Sequence, residues 1–175
     1  VVRPNGELIA SGPFITADGA PAKYIARWDG QHWLELGGGA DDDIFSMIAL
    51  PNGDVIVGGD FSHVGNVAAS KIARWDGQQW HALGEGVSVV NTLQARIYGM
   101  ALLPNGDLIV SGDFNKAGSV LNVNGIARWN GISWSAVNGG TIVPDGSTAR
   151  LAVDKNGHLL LGGSFRQNSQ SKSGI

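Results

Sequence analysis

Three adjacent carboxylates, Asp41-Asp42-Asp43, are the densest group of chemically capable side chains in this sequence. Carboxylate oxygens are the ligands that Ca²⁺ prefers, so a bound divalent cation is the first chemistry that the cluster suggests. A calcium loop, however, alternates its acidic residues with spacers and places a glycine at the turn, and no D-x-D-x-D-G pattern is present. A solvated loop is therefore the favoured interpretation, and a cation site is the alternative.

The histidines do not provide a second centre of chemistry. They occupy unrelated positions within the sequence repeats described below, whereas a metal site needs ligands that converge. No Ser-His-Asp grouping lies in a nucleophile-elbow context, and no paired catalytic carboxylates or phosphate-binding loop stand out. The sequence therefore predicts a protein without catalytic activity, metal or cofactor. The four histidines are His32, His63, His81 and His158.

Composition excludes several other classes. The 175-residue chain has a net charge of −3, only 15% charged residues and no run of Lys or Arg, so nucleic-acid binding is not expected. No apolar stretch approaches the roughly 18 residues of a membrane span. The chain has no cysteine, which rules out disulfides and thiolate chemistry. Its 27 glycines and 6 tryptophans point instead to an organisation built on turns and aromatic packing.

One sequence unit repeats along the chain, and its fullest copy spans residues 45–84. An apolar run ends at Pro51-Asn52-Gly53, a second run ends at Gly58-Gly59, and the segment IARWDGQQW turns at Asp76-Gly77. Asn-Gly and Asp-Gly between apolar runs predict tight hairpins, because both central residues of the favoured turns need a positive φ. Each complete unit is therefore predicted to form four short antiparallel strands.

The spacing of these units predicts the fold class. The Asn-Gly turns at Asn5, Asn52, Asn105 and Asn156 are 47, 53 and 51 residues apart. A period of about 40–50 residues with four short strands is the signature of a β-propeller blade. We predict an all-β chain of about three and a half four-stranded blades, with roughly fourteen strands and almost no helix. The units span residues 1–37, 45–84, 97–138 and 148–175, the last of them truncated.

The repeat resembles kelch-type propeller repeats. The segment GGDF…KIARWDGQQWHALGEG is most similar to the GG-x-F…IARWDG-x-x-W repeats of bacterial secreted proteins and of the fungal Rax2-like cell-surface family. The resemblance covers essentially the whole chain and implies an exported or cell-surface protein. It is informative for the fold and weak for function, because propellers carry many unrelated activities.

The residues that repeat in register are predicted to be structural. The paired tryptophans flank each third-to-fourth-strand turn, so their rings should pack across that hairpin. The arginine before the first Trp should pair with an acid, and Asp60 and Asp113 are the candidates. Gly58-Gly59 and Gly162-Gly163 suggest close strand approach or a bulge beside a bulky Trp. The repeated residues are Trp28, Trp33, Trp75, Trp80, Trp129, Trp134, Arg27, Arg74 and Arg128.

One face of the predicted propeller varies while the other is constant. The first-to-second and third-to-fourth strand turns are short and nearly invariant, whereas the 2–3 loops and the 4–1 connections differ in length and content. Variable loops on a constant scaffold are where binding usually resides. The candidate ligand-binding residues on this 2–3/4–1 face are Asp41, Asp42, Asp43, His63, Asn66, Asn91, Asn115 and Lys116.

Two functions remain open from the sequence. The first is a non-catalytic binding or structural module of a larger, exported protein that engages a protein or a glycan. The alternative is a lectin-like or hydrolytic propeller that uses the same face. Because propellers close with about 4–8 blades, three and a half units should need either the rest of a longer propeller or a second copy to complete the ring.

Overall fold

The computed structural model describes residues 1–90, 94–137, 142–144, 150–163 and 165–167. Throughout these residues the chain is all-β, with no helix, and its strands form small antiparallel sheets. No helix that could cross a membrane occurs in the part of the chain so described. The predicted fold class is confirmed: the sheets are the blades of a β-propeller.

The first two repeats contribute eleven strands. In repeat 1 they are β1 (Leu8–Ser11), β2 (Thr16–Ala17), β3 (Ala20–Pro21), β4 (Ile25–Trp28) and β5 (Trp33–Glu35). In repeat 2 they are β6 (Ile44–Ala49), β7 (Val55–Gly59), β8 (His63–Val64), β9 (Val67–Ala68), β10 (Ile72–Trp75) and β11 (Trp80–Ala82). Strands β1-β4-β5 form blade 1, and β6-β7-β10-β11 form the four-stranded blade 2.

The third and fourth repeats follow the same order. Repeat 3 contains β12 (Val87–Ser88), β13 (Arg96–Leu102), β14 (Leu108–Asp113), β15 (Lys116–Ala117), β16 (Val120–Leu121), β17 (Ile126–Trp129) and β18 (Trp134–Ala136). Repeat 4 contains β19 (Ile142–Pro144), β20 (Arg150–Val153), β21 (Leu159–Gly162) and β22 (Phe165–Gln167). Strands β13-β14-β17-β18 form blade 3, and the pair β20-β21 forms blade 4.

Local turn chemistry explains why these strands form. Gly53 adopts a φ of 93°, and the Asn52 side chain accepts the Asp54 amide at 3.1 Å. In the second hairpin, Asp76 Oδ1 accepts two backbone amides at 2.8 Å each and Gly77 has a φ of 102°. A side-chain oxygen that bonds amides two or three residues ahead holds the chain in a turn without help from the rest of the fold.

The predicted number of strands is wrong, because the variable face has its own strands. The 2–3 loops of the first three repeats each fold into a hairpin whose strands are two residues long: β2-β3, β8-β9 and β15-β16. The 4–1 connections then pair with the next repeat's hairpin or loop, through the Ala40–Val64 bridge, β12-β15 and β19-β22. These contacts raise the total from the predicted fourteen or so to 22 strands among the described residues.

The core lies between neighbouring blades, and β7 contributes to both sides of blade 2. Val55 and Val57 belong to the apolar cluster that joins blades 1 and 2, whereas Ile56 belongs to the cluster that joins blades 2 and 3. Side chains alternate between the two faces of a strand, so a blade covered on both faces needs apolar residues at consecutive positions. This requirement explains the continuous apolar run of the second strand.

Each tryptophan pair packs across its hairpin. Trp75 lies opposite Trp80 in the β10-β11 register, and their ring centroids are 5.2 Å apart. Both rings are buried in blade 2, whereas Trp28 and Trp33 of blade 1 are half-buried. The corresponding centroid distances are 5.5 Å for Trp28–Trp33 and 5.2 Å for Trp129–Trp134.

The predicted acidic partners of the repeated arginines are wrong. Arg74 pairs with Asp54 (Nη1–Oδ2 2.8 Å) rather than with Asp60. The register explains this choice, because Arg74 lies opposite Ile56. Along the strand, Ile56 is two residues from Asp54 but four residues, or about 13 Å, from Asp60. The equivalent pairs are Arg27 with Glu7 at 3.4 Å and Arg128 with Asp107 at 2.5 Å. In all three blades the acid is the residue directly after the Asn-Gly turn.

The glycine pair of blade 2 lies where backbones approach closely, but the neighbour is not a tryptophan. A Cβ atom on Gly58 would lie 2.7 Å from the Ile97 side chain of blade 3, and one on Gly59 would overlap the Asp43 carbonyl. Blade 4 differs. Among the described residues, the nearest atom to a Cβ on Gly162 is the Arg150 carbonyl at 4.0 Å, and Gly163 adopts a φ of 151°.

Candidate functional site

A cleft of about 440 Å³ opens between blades 2 and 3 on the 2–3/4–1 face. The 4–1 connections into blades 2 and 3 and the 2–3 loop of blade 2 form its walls, and of the lining only Val87 and Ser88 belong to a strand, β12. Its lining residues combine carboxylates, hydroxyls, one ammonium group and an apolar side. They are Asp41, Asp42, Asp60, Ser62, Ser70, Lys71, Val87, Ser88, Val89 and Ala95.

Asp41 connects the 4–1 connection to the β8-β9 hairpin. Its carboxylate accepts the Ser62 amide (2.8 Å), the Ser62 hydroxyl (2.6 Å) and the His63 amide (2.9 Å), and it lies 3.2 Å from His63 Nδ1. Partial burial raises the pKa of Asp41, but these hydrogen bonds outweigh it and lower the pKa from 3.8 to about 2. The predicted site residues Asp41 and His63 are therefore brought together.

Asp60 joins the two blades at the other side of the cleft. Its carboxylate accepts from Lys71 Nζ at 3.1 Å and from Arg96 Nε of blade 3 at 2.7 Å. Burial raises the pKa of Asp60, and the bonds to the two cations more than offset it, so the pKa falls below its ordinary value. Arg96 also interacts with the Tyr98 hydroxyl, which donates to Asp113 at 3.1 Å. One polar network thus runs from Lys71 to Asp113.

The remaining predicted residues are spread more widely over the face. Asp42 is exposed in the cleft, and its Oδ1 accepts the Asp43 amide at 2.8 Å. The Asp43 carbonyl accepts the Asp60 amide at 2.8 Å. Asn66 is exposed at the turn of the β8-β9 hairpin, away from the cleft lining.

Asn115 and Lys116 hold the connection into blade 3. The Asn115 side chain accepts the Val90 amide at 2.8 Å, and Lys116 lies 3.7 Å from Glu85. Neither residue lines the cleft. Asn91, the last of the predicted residues, lies outside the described residues.

An aromatic pair beside the cleft was missed by the sequence analysis. Phe45 and Tyr98 stand at β-bulges of the inner strands β6 and β13, and their ring centroids are 5.4 Å apart. Each bulge lies opposite a glycine, Gly59 or Gly112, whose missing Cβ leaves room for the shifted backbone. The recurring glycine at the end of the second strand was the available signal. The sequence analysis predicted close strand approach or a bulge at Gly58-Gly59, which is correct, but placed a tryptophan beside it, which is wrong.

The electrostatics of the site favour recognition over acid–base chemistry. A general acid or base works best with a pKa near the operating pH, whereas Asp41 and Asp60 are both held ionised by their hydrogen-bond donors. Among the described residues no group of three or more His, Asp or Glu side chains is placed to hold a metal ion. What the cleft does offer is a fixed set of charged and hydroxyl groups beside an apolar wall.

Comparison with known proteins supports the propeller fold and adds no activity. A family model described as "Domain of unknown function (DUF5122) beta-propeller" matches residues 50–75, which run from the first turn of blade 2 to its first tryptophan. The matched stretch is similar to that family over a short part of the chain. No curated protein and no solved structure gave a significant match.

Proposed function

We propose that this chain is a non-catalytic binding module that engages its ligand through the 2–3/4–1 face. The observation that carries the proposal is the cleft between blades 2 and 3, which is lined by two 4–1 connections and the 2–3 loop of blade 2. Binding sites for small ligands are usually concave, largely pre-formed and about 300–1,000 Å³ in volume, and this cleft falls in that range. The similarity of the repeats to those of secreted and cell-surface proteins supports a location outside the cell.

The competing proposal of a hydrolytic propeller has less support. Such an enzyme needs a carboxylic acid whose pKa is raised toward neutrality. The two carboxyl groups with shifted pKa in the cleft, Asp41 and Asp60, are shifted downward. The chemistry of this face therefore favours a binding role.

A selection with two probe panels tests which face binds. Printed glycans and a displayed peptide library would be selected against the wild-type chain, and each hit re-measured on Asp42→Arg and Gln79→Arg. Asp42 is exposed in the cleft, and Gln79 is exposed at the third-to-fourth-strand turn on the opposite face. Hits lost with Asp42→Arg and kept with Gln79→Arg support the proposal. Hits with the reverse pattern, or no hits from either panel, contradict it.

We further propose that blade 1 is covered by another blade of the same repeat. Leu8 is 37% exposed, whereas the equivalent Val55 and Leu108 are 0% and 1% exposed because a preceding blade packs on them. Blade 2 shows the contact that blade 1 lacks, because Gly37 at the end of blade 1 packs directly against the Trp75 ring of blade 2. A strand end of this kind, from another blade, fits the half-buried Trp28–Trp33 pair.

A further inference from the structure

We propose that the Phe45–Tyr98 pair and the adjoining cleft form one site for a neutral carbohydrate. This inference rests on the proposed binding function of the 2–3/4–1 face and names the class of ligand. Its starting point is the juxtaposition of an exposed aromatic ring with a cleft that offers hydroxyl, ammonium and carboxylate groups.

Shared residues make the aromatic pair and the cleft continuous. Phe45 lies two residues after Asp43 in the chain. The Asp43 carbonyl accepts the Asp60 amide, and Asp60 lines the cleft. On the blade 3 side, Tyr98 is linked through Arg96 to the same Asp60 carboxylate. Asp60 therefore connects the ring pair to the cleft, at the same end of both blades.

The bulges point to a ligand rather than to core packing. A bulge re-aims a side chain and costs regular strand pairing, so it needs a compensating role. Phe45 remains 39% exposed although it is a large apolar residue next to a core. An exposed aromatic face attracts the weakly positive C–H groups of a sugar ring through its quadrupole.

The polar groups of the cleft match hydroxyl groups better than they match an ion. Asp42 presents a carboxylate that accepts, Lys71 an ammonium that donates, and Ser88 a hydroxyl that does both. An anion would meet the carboxylates of Asp41 and Asp42, and a cation would meet Lys71. Sugar hydroxyls donate and accept within one ligand, so they satisfy the mixed set without a net charge.

Titration calorimetry with soluble hexasaccharides tests the proposal. The probes are gluco-, manno-, xylo- and chito-oligosaccharides, with heparin and oligogalacturonate fragments as acidic comparisons. We expect at least one neutral oligosaccharide to bind and the acidic ones not to. Phe45→Leu should weaken that affinity about tenfold through loss of the ring, and Phe45→Trp should retain it. Asp42→Ala should weaken it about tenfold or more, because a charged acceptor is lost.

The control is Ile132→Ser, since Ile132 is 87% exposed at a turn of the opposite face and should leave affinity unchanged. Thermal unfolding of each variant separates lost binding from lost structure. If Phe45→Leu is unstable, the affinities of Phe45→Trp and Asp42→Ala test the inference. Absence of binding to every neutral oligosaccharide overturns the inference, as does binding that tolerates both Phe45→Leu and Asp42→Ala. If selected peptides bind this face while glycans do not, the inference fails and the proposed function stands.

Discussion

Arg74 donates to the nearly buried carboxylate of Asp54 across blade 2, with Nη1 and Oδ2 2.8 Å apart. The same contact joins Arg27 to Glu7 and Arg128 to Asp107, so one clamp recurs in three blades. In each case the acid follows an Asn-Gly turn and the arginine precedes a tryptophan. The clamp therefore ties the first hairpin of a blade to its third strand.

We predict that Arg74→Met destabilises the protein by about 1–3 kcal/mol, because Asp54 is 6% exposed and would lose its charged donor. Urea unfolding measures the effect. A double-mutant cycle with Asp54→Ala should show a coupling of 0.5–3 kcal/mol, typical of residues in contact, whereas a cycle of Arg74→Met with Asp60→Ala should be additive within about 0.5 kcal/mol. Coupling to Asp60 instead of Asp54 would contradict the observed register.

The sequence could identify the blades but not this partner. Asn52-Gly53 and Asp76-Gly77 determine their hairpins locally, so the strands that flank them were predictable from turn chemistry alone. Asp54 and Asp60 both lie at even spacing from Ile56 and therefore on the same face of the strand. Only the register between β7 and β10 separates them, and twelve residues of variable loop, 60–71, intervene between these strands.

The short hairpins of the variable face were not predicted, although the sequence carries their turn signals. Asp18-Gly19, Gly65-Asn66 and Gly118-Ser119 are two-residue turn signals, and each lies between the paired residues of a short hairpin. These signals were present in the sequence. The signal for the Phe45 bulge lay on the partner strand, at Gly59, and nothing next to Phe45 in the sequence indicated it, because the bulge depends on a backbone contact between Asp43 and Gly59, sixteen positions apart in the chain.

Gly59→Ala should be costly, because its new Cβ would overlap the Asp43 carbonyl, which is backbone and cannot swing aside. We expect a loss of about 1–3 kcal/mol, as for other overpacked sites. The control is Gly162→Ala in blade 4, where the nearest atom among the described residues would be 4.0 Å away. Denaturant midpoints of both variants provide the measurement. Equal stabilities of the two variants would mean that the bulge does not require glycine.

The Asp41 hydrogen bonds should make stability depend on pH in the acid range. Partial burial opposes the shift, but the Ser62 and His63 donors lower the folded-state pKa to about 2, below the ordinary 3.8. A depressed carboxyl pKa stabilises the fold above about pH 4, and this contribution is lost as the pH falls from 3.8 toward 2. Wild type should therefore exceed Asp41→Asn in thermal stability at pH 5, and the gap should close near pH 2.

The matched control for that experiment is Asp42→Asn, since the Asp42 side chain accepts a single amide, that of Asp43. Its stability difference from wild type should vary less between pH 5 and pH 2. A gap between wild type and Asp41→Asn that stays constant over this range would show that the hydrogen bonds to Asp41 do not favour its ionised form.

The exposed side of blade 1 leads to the last prediction. Trp28 and Trp33 are half-buried and Leu8 is 37% exposed, whereas Trp75, Trp80 and Val55 are 8%, 5% and 0% exposed in blade 2. Exposed apolar faces of this kind promote association. We therefore expect the 175-residue chain to self-associate at micromolar concentration, and Trp33→Glu to shift it toward monomer, in sedimentation equilibrium. Gln78→Glu, at an exposed turn of blade 2, is the charge-matched control and should not change the mass. A stable monomer of 18.2 kDa for the wild-type chain would contradict the proposed covering of blade 1 by another blade.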